Sequence, residues 1–231
     1  MSERQTAIVL LSGGLDSAVA FKWALDHHEV RLALTFDYGQ RAALREMKAA
    51  QAMSRRYQVR HQFMALEWLG EATASALVRE EQPLPTPREL DTPEVVRESA
   101  RAVWVPNRNG LFVNIAACLA EARQLDLVVA GFNAEEAATF PDNSPQFVEA
   151  INACLRWSTL RPPTLVSPTQ QLTKTGILRL GREIEAPLDL IWVCYQGGER
   201  YCWECESCQR LRRALLQARS WDWFKSVNRY A

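Results

Sequence analysis

The chain predicts an α/β protein built on a parallel sheet, with a small metal-binding appendage near its C-terminus. Three observations point there. Apolar strand-like runs alternate with helical patterns, as parallel βαβ units require. The first run ends in the turn Ser12-Gly13-Gly14-Leu15-Asp16-Ser17 and passes directly into a helical pattern. Four of the six cysteines crowd into the stretch Cys194 to Cys208.

The first strand is Ala7-Ile8-Val9-Leu10-Leu11, and Ala18 to Leu25 repeats apolar residues at helical spacing. At such a strand–turn–helix junction several backbone N–H groups lack intrahelical partners, and the helix dipole adds positive potential. Gly13 and Gly14 let the chain turn sharply and let a phosphate approach the backbone. Ser12 and Ser17 add hydroxyl donors, while Asp16 suits the first helical turn and is placed to help hold a magnesium ion. No Gly-Lys-Ser/Thr follows and a third glycine is missing, which excludes a Walker A loop and a dinucleotide fingerprint.

A second strand at Val30 to Phe36 runs into Asp37-Tyr38-Gly39-Gln40-Arg41, either a ligand-facing edge or an ordinary strand-to-helix loop. A helix over Arg41 to Tyr57 is expected to bury Ala43, Met47, Ala50 and Tyr57, and a third strand spans Val59 to Ala65. Residues 68–103, with Pro83, Pro85, Pro87 and Pro93, read as an irregular lid or a disordered insertion. Order resumes at Val103, Asn109 is placed to cap the next helix, and that helix carries Leu111, Phe112, Ile115, Ala116 and Leu119 on one face. Arg108, at the mouth of that helix, is shaped either to grip phosphate or carboxylate or to form a structural salt bridge.

A fourth strand at Asp126 to Ala130 closes on Gly131 and a loop to Ser144 crowded with carboxylates and amides, suited to reading a polar heterocycle. Helices are expected over Pro145 to Trp157 and from Leu172 to Glu185. Cys118 and Cys154 read as inert structural residues. Lys174, at a helix N-terminus where positive charge is disfavoured, has either a phosphate partner or solvent around it. Leu188 to Val193 is expected to be the fifth strand.

That run delivers Cys194, followed by Cys202, Cys205 and Cys208 in a C-x7-C-x2-C-x2-C pattern. Cys-x-x-Cys knuckles place two thiolates on one ion, and four thiolates complete a closed tetrahedral zinc site with a structural role. A disulfide or redox pair leaves two cysteines unexplained, and an iron–sulfur cluster is the other four-thiolate solution. After Cys208 a basic amphipathic helix is expected to pack Leu211, Ala214 and Leu215. Trp221, Trp223 and Phe224 suggest a tail buried on this domain or on a second subunit.

The 231 residues, 48% apolar, suffice for one sizeable domain and its appendage: 1–190 as a nucleotide-binding unit and 191–231 as a four-cysteine subdomain. With 27 basic and 27 acidic side chains, no global field favours nucleic acid or an acidic membrane. No apolar run is long enough to suggest a membrane span, and Met1 to Thr6 lacks the apolar core of a signal peptide, so a cytoplasmic enzyme is expected.

SGGLDS after an apolar strand resembles the PP-loop of the N-type ATP pyrophosphatases, which hold ATP by its pyrophosphate and transfer AMP to a carboxylate or carbonyl oxygen. With Tyr38-Gly39-Gln40-Arg41, Val105-Pro106-Asn107-Arg108-Asn109 and the cysteine cluster in this order, the chain is similar to the 7-cyano-7-deazaguanine synthase family of queuosine biosynthesis. The resemblance implies a Rossmann-like (adenine nucleotide alpha hydrolase-like) five-stranded parallel sheet with a small C-terminal zinc-binding subdomain, and a homodimer. It implies ATP-dependent conversion of 7-carboxy-7-deazaguanine and free ammonium to the nitrile by way of an amide.

For this sequence that puts ATP with Mg²⁺ on Leu11, Ser12, Gly13, Gly14, Leu15, Asp16 and Ser17, with Tyr38 and Gln40. Catalysis falls to Asp16, Ser17, Arg108 and Lys174, and one structural zinc to Cys194, Cys202, Cys205 and Cys208. Asn143 and Ser144 stand where many members carry a cysteine and an arginine, and Glu135-Glu136-Ala137-Ala138 departs from the commoner pattern. Rival readings are a PP-loop tRNA-modifying enzyme, such as a thiolation enzyme, and a zinc-stabilised nucleotide-binding interaction protein.

Overall fold

Residues 4–87, 89, 90 and 92–231 are described by a computed structural model. Met1, Ser2 and Glu3 of the N-terminal segment, and Arg88 and Asp91 within 68–103, lie outside the described residues. The middle layer is a five-stranded parallel sheet in the order β3-β2-β1-β4-β5. Its strands are β1 (Thr6–Leu10), β2 (Glu29–Asp37), β3 (His61–Ala65), β4 (Leu127–Val129) and β5 (Thr164–Val166). The chain winds outward from β1 to β3, then returns to lay β4 on the other side of β1. That reversal opens a crevice beyond the carboxyl ends of β1 and β4, the place where doubly wound sheets take their ligands.

Alternation along β1 divides the core. Ala7 and Val9 face one side with α1 (Leu15–His27), α2 (Ala43–Arg56), α8 (Lys174–Glu183) and α9 (Glu206–Gln217). Ile8 faces the other with α5 (Arg108–Ala122) and α7 (Pro145–Ser158). The remaining helices are α3 (Glu67–Ala72), α4 (Pro93–Val103), the single turn α6 (Ala134–Ala137) and α10 (Trp221–Val227), with a 3-10 turn at Pro141–Asn143. As expected, α9 buries Leu211, Ala214 and Leu215, and Phe224 of α10 is wholly buried.

The structure corrects several expectations. The fifth strand is Thr164–Val166, not Leu188 to Val193. The latter run is buried irregular chain. Its Trp192 N–H donates to Gly13 O at 2.8 Å, while Tyr201 Oη and Asn228 Nδ2 donate to the carbonyls of Ile191 and Leu188. With its backbone engaged by these partners the segment has no ladder to join. β5 is an edge strand whose outer N–H and C=O at Leu165 are closed by the Asn152 amide of α7.

Residues 68–103 are also not wholly irregular, since α4 begins at the proline that suits a first helical turn and buries Ser99, Ala100 and Val103. In α2 the buried set is Ala49, Ala50, Met53 and Ser54, so of the expected four only Ala50 is fully covered. α5 turns its small residues Gly110, Ala116, Ala117 and Ala120, with Val113, to the sheet and leaves Leu111, Phe112, Ile115 and Leu119 half-buried. Small side chains let the helix approach the strands closely, so bulk misreports the facing side. Asn107, not Asn109, takes the N-cap position of α5, at φ 52°. Cys118 and Cys154 are exposed and are not core residues.

Candidate active site and metal centre

β1 leads through Leu11, Ser12 and Gly13 to Gly14, the N-cap of α1. Gly13 has φ +84°, and a Cβ there would sit 2.8 Å from Ala49 Cβ and 2.9 Å from Glu46 O. Only glycine fits this turn against α2. No side chain caps α1, so its leading N–H groups are open to a ligand. Ser12 Oγ and Ser17 Oγ lie 3.1 Å apart, and Ser17 Oγ donates to Gly14 O. A Cβ on Gly131 would meet the Asp16 carbonyl carbon at 2.7 Å, so the end of β4 also presses glycine against the loop.

Lys174 is buried, which removes the solvent-exposed alternative. Its Nζ donates to Asp16 Oδ2 and, at 2.5 Å, to Glu136 Oε1. Thr173 Oγ1 caps α8 by accepting from Gly176 N, and Glu135 Oε1 accepts from Lys174 N, so acidic groups offset the charge at this helix N-terminus. Burial opposes the lysine charge, yet Asp16 and Glu136 outweigh it and hold the pKa above the usual lysine value. Burial pushes the Asp16 carboxyl up to about 6 against the pull of Lys174, with Glu136 adding to the rise. Asn133 fixes this corner by accepting from Glu136 N and facing Asp16 Oδ2 at 3.5 Å.

Tyr38, at the end of β2, is buried, and its hydroxyl accepts from Arg108 Nη1 at 3.1 Å. The Arg108 guanidinium also lies over the Tyr38 ring, 5.8 Å from its centroid. Among the described residues no ion pair to Arg108 is formed within 4 Å, so the structural salt bridge is absent there. Gln40 uses its amide internally: Oε1 accepts from Tyr38 N, and Nε2 donates to Phe36 O and Glu46 Oε2. Burial raises the Glu46 carboxyl above its ordinary value, despite the Gln40 bond and Arg108 nearby.

One cavity of about 290 Å³ gathers these groups, with the loop residues Ser12, Gly14, Leu15, Asp16 and Ser17, and Tyr38, Gln40, Arg108 and Lys174 on its walls. Gly13 shapes the turn from behind and Leu11 contributes a buried wall. Glu136, noted in sequence only as a departure from the family pattern, and Asp142, Glu206, Arg210 and Trp192, given no role there, also line it. The carboxylate-crowded loop after β4 was the available signal for Glu136 and Asp142. Nothing local in sequence pointed to Trp192 or Arg210, which arrive from the far end of the chain.

Cys194, Cys202, Cys205 and Cys208 bring four sulfurs within 4.8 Å of one another. Cys202 and Cys208 Sγ are 3.9 Å apart, close to the edge of roughly 3.8 Å that tetrahedral thiolates about 2.3 Å from one ion would span. Glu204 N and Cys205 N donate to Cys202 Sγ, as a metal-binding knuckle requires. The cluster can therefore hold one metal ion with no position left open.

The switch-point crevice, the uncapped glycine loop and the buried lysine define a nucleotide-binding α/β protein carrying a four-cysteine cluster able to hold a metal ion. The family model described as Queuosine biosynthesis protein QueC matches residues 6–219, and the chain belongs to that family. It is 57% identical over 92% of its length to the 7-cyano-7-deazaguanine synthase of Pelotomaculum thermopropionicum, covering 97% of that protein. The enzymes of the same name from Desulforudis audaxviator and Desulforamulus reducens are 54% and 51% identical, over 91% and 90% of this chain and 96% and 92% of theirs.

Proposed function

We propose that the chain is an ATP-dependent carbon–nitrogen ligase that converts 7-carboxy-7-deazaguanine and ammonium to 7-cyano-7-deazaguanine. The carrying observation is a single cavity joining the SGGLDS loop to the Lys174 cluster, in a chain 57% identical to a protein of that name. A carboxylate is a poor acyl donor to ammonia because oxide would have to leave. Attack of its oxygen on the α-phosphorus of ATP expels pyrophosphate and makes AMP the leaving group. Ammonia then attacks the acyl carbon, AMP departs, and an amide remains. A second ATP activates the amide oxygen in the same way, and loss of AMP and protons leaves the nitrile.

The protein's part is alignment and charge. N–H groups of Gly14 to Ser17 and the two serine hydroxyls would cradle the phosphates. Lys174 would hold positive charge where pyrophosphate departs, and Arg108 would orient an anionic or carbonyl oxygen of the acid. Tyr38 would shape the nucleotide wall, and Gln40 would set its turn. Asp16 Oδ1 is buried with no hydrogen-bond partner, and five carboxylates against three cations line the cavity, which favours a divalent cation. Mg²⁺ held by Asp16 and the ATP phosphates would neutralise charge on the departing pyrophosphate.

The four thiolates suit structural zinc on a 191–231 subdomain that completes the 1–190 ATP-binding domain. Reduced thiolates fit a cytoplasmic setting. A homodimer is favoured by α7, which fully buries only Leu155 and leaves Trp157 91% exposed, with Leu160 beyond it fully exposed. The balanced charge speaks against a nucleic-acid partner. Mass spectrometry after incubation with ATP, Mg²⁺, ammonium and 7-carboxy-7-deazaguanine should find the nitrile with two AMP per product. No nitrile from zinc-replete protein would refute the reading.

A further inference from the structure

Two planar heterocycles must share this cavity under the function proposed above, adenine of ATP and the deazaguanine of the acid, and the site must tell them apart. They differ at the six-membered edge. A guanine-type ring presents two adjacent donors, N1–H and the 2-amino group, whereas adenine presents an N1 acceptor. A fixed carboxylate accepts the first pattern through both oxygens and repels the second.

One buried carboxylate on the cavity wall is not paired with Lys174. Asp142 lies in the 3-10 turn Pro141–Asn143, lines the cavity and is only 7% exposed. Asn109 N donates to its Oδ2 at 3.4 Å and Asn143 Nδ2 to its Oδ1 at 3.2 Å. One long bond per oxygen leaves lone pairs unused, since an ionised carboxylate has about four acceptor sites. Its orientation is held from behind: Asn109 Nδ2 donates to Asp142 O, and Gln170 Nε2 to Asn143 O at 2.7 Å. Ser144 is occupied as the N-cap of α7, accepting from Phe147 N. Flanking chain supplies an aromatic wall, with Trp104 and Phe140 both lining the cavity, their rings 6° from parallel and 5.9 Å between centroids. Burial raises the Asp142 carboxyl above its ordinary pKa while nearby Arg108 pulls it down, so a ligand that donates to it relieves a desolvated group.

We propose that Asp142 reads the base, its carboxylate accepting from N1–H and the 2-amino group of a deazaguanine laid against Trp104 and Phe140, with Asn143 as a positioning residue. This rests on the ligase reading. It also gives Asn143 and Ser144 distinct parts: the amide steers the carboxylate and the hydroxyl caps a helix.

The test compares 7-carboxy-7-deazaguanine with its 2-deamino analogue in wild type and Asp142→Asn, with KM for ATP measured in parallel. Wild type should prefer the 2-amino substrate on the order of 10- to 100-fold, because the analogue leaves a buried acceptor unpaired. Asp142→Asn should raise KM for the acid by a similar factor, keep KM for ATP within about twofold, and shrink the preference to about threefold or less. A carboxylate that merely caps α5 would change melting temperature and leave the preference intact. Equal use of both substrates by wild type, or an undiminished preference in folded Asp142→Asn, overturns the assignment without touching the ligase reading. Wild type inert toward 7-carboxy-7-deazaguanine overturns both.

Discussion

Replacing Lys174 with methionine tests whether its ammonium is the charge that lets two buried carboxylates stand together. The lysine side chain is 11% exposed and its acidic partners, Asp16 and Glu136, are 16% and 31% exposed. Two oxygens sharing one ammonium lie within roughly 5 Å of each other, and at an effective dielectric of about 20 two such charges repel by about 3 kcal/mol. Methionine keeps the length of the chain and removes the compensation, so the ligand-free variant should lose about 3 kcal/mol of stability at pH 8.5.

The sign of the pH dependence follows from Asp16. Its folded pKa of about 6 already exceeds the usual carboxylate value, so its stabilising contribution is complete below the unfolded pKa and is lost as pH rises through the folded one. Without the lysine that loss continues to higher pH, and the gap from wild type should be small at pH 5.5. Urea unfolding at the two pH values measures this directly. An equal loss at both, or none at pH 8.5, would refute the charge-compensation argument. Turnover should fall on the order of 100-fold or more, as for removal of an oxyanion donor.

Other perturbations probe the remaining parts. Gly13→Ala forces φ +84° on a residue with a Cβ that has no room beside Ala49, and should cost about 1–3 kcal/mol with at least a tenfold rise in KM for ATP. Cys205→Ser removes a wholly buried sulfur from the cluster, and elemental analysis should show zinc falling from about one per chain, with a lower melting temperature. Unchanged zinc and stability with lost activity would contradict a structural site. Trp157→Glu places a charge in the exposed apolar patch, and light scattering should show dimer giving way to monomer without loss of fold.

Local chemistry carried much of the site in the sequence. The strand–glycine–helix junction is set by residues 7 to 18, and the cysteine spacing by the fifteen residues from Cys194 to Cys208. Four strands were visible because their apolar runs are flanked by turns. The fifth was not, since Thr164–Val166 is too short to show a period and sits behind Arg161-Pro162-Pro163. Leu188 to Val193 competed for that place because a short apolar run looks alike in a strand and in a buried irregular segment. The exposed Cys118 and Cys154 show the converse error: small apolar residues on a two-faced helix do not reveal which face meets the sheet. The cluster around Lys174 joins residues 16, 136 and 174, and no local window holds all three.

The bond from Trp192 N–H to Gly13 O sets an order in time for a growing chain. Gly13 leaves the ribosome 179 residues before Trp192, which at about 5–20 residues per second is roughly 9–36 s earlier. Lys174, the cation beside Asp16, is also late. A nascent chain therefore carries its glycine loop long before it can brace that loop, and the proposed ATP chemistry waits until Trp192, early in the last fifth of the polypeptide, has been made.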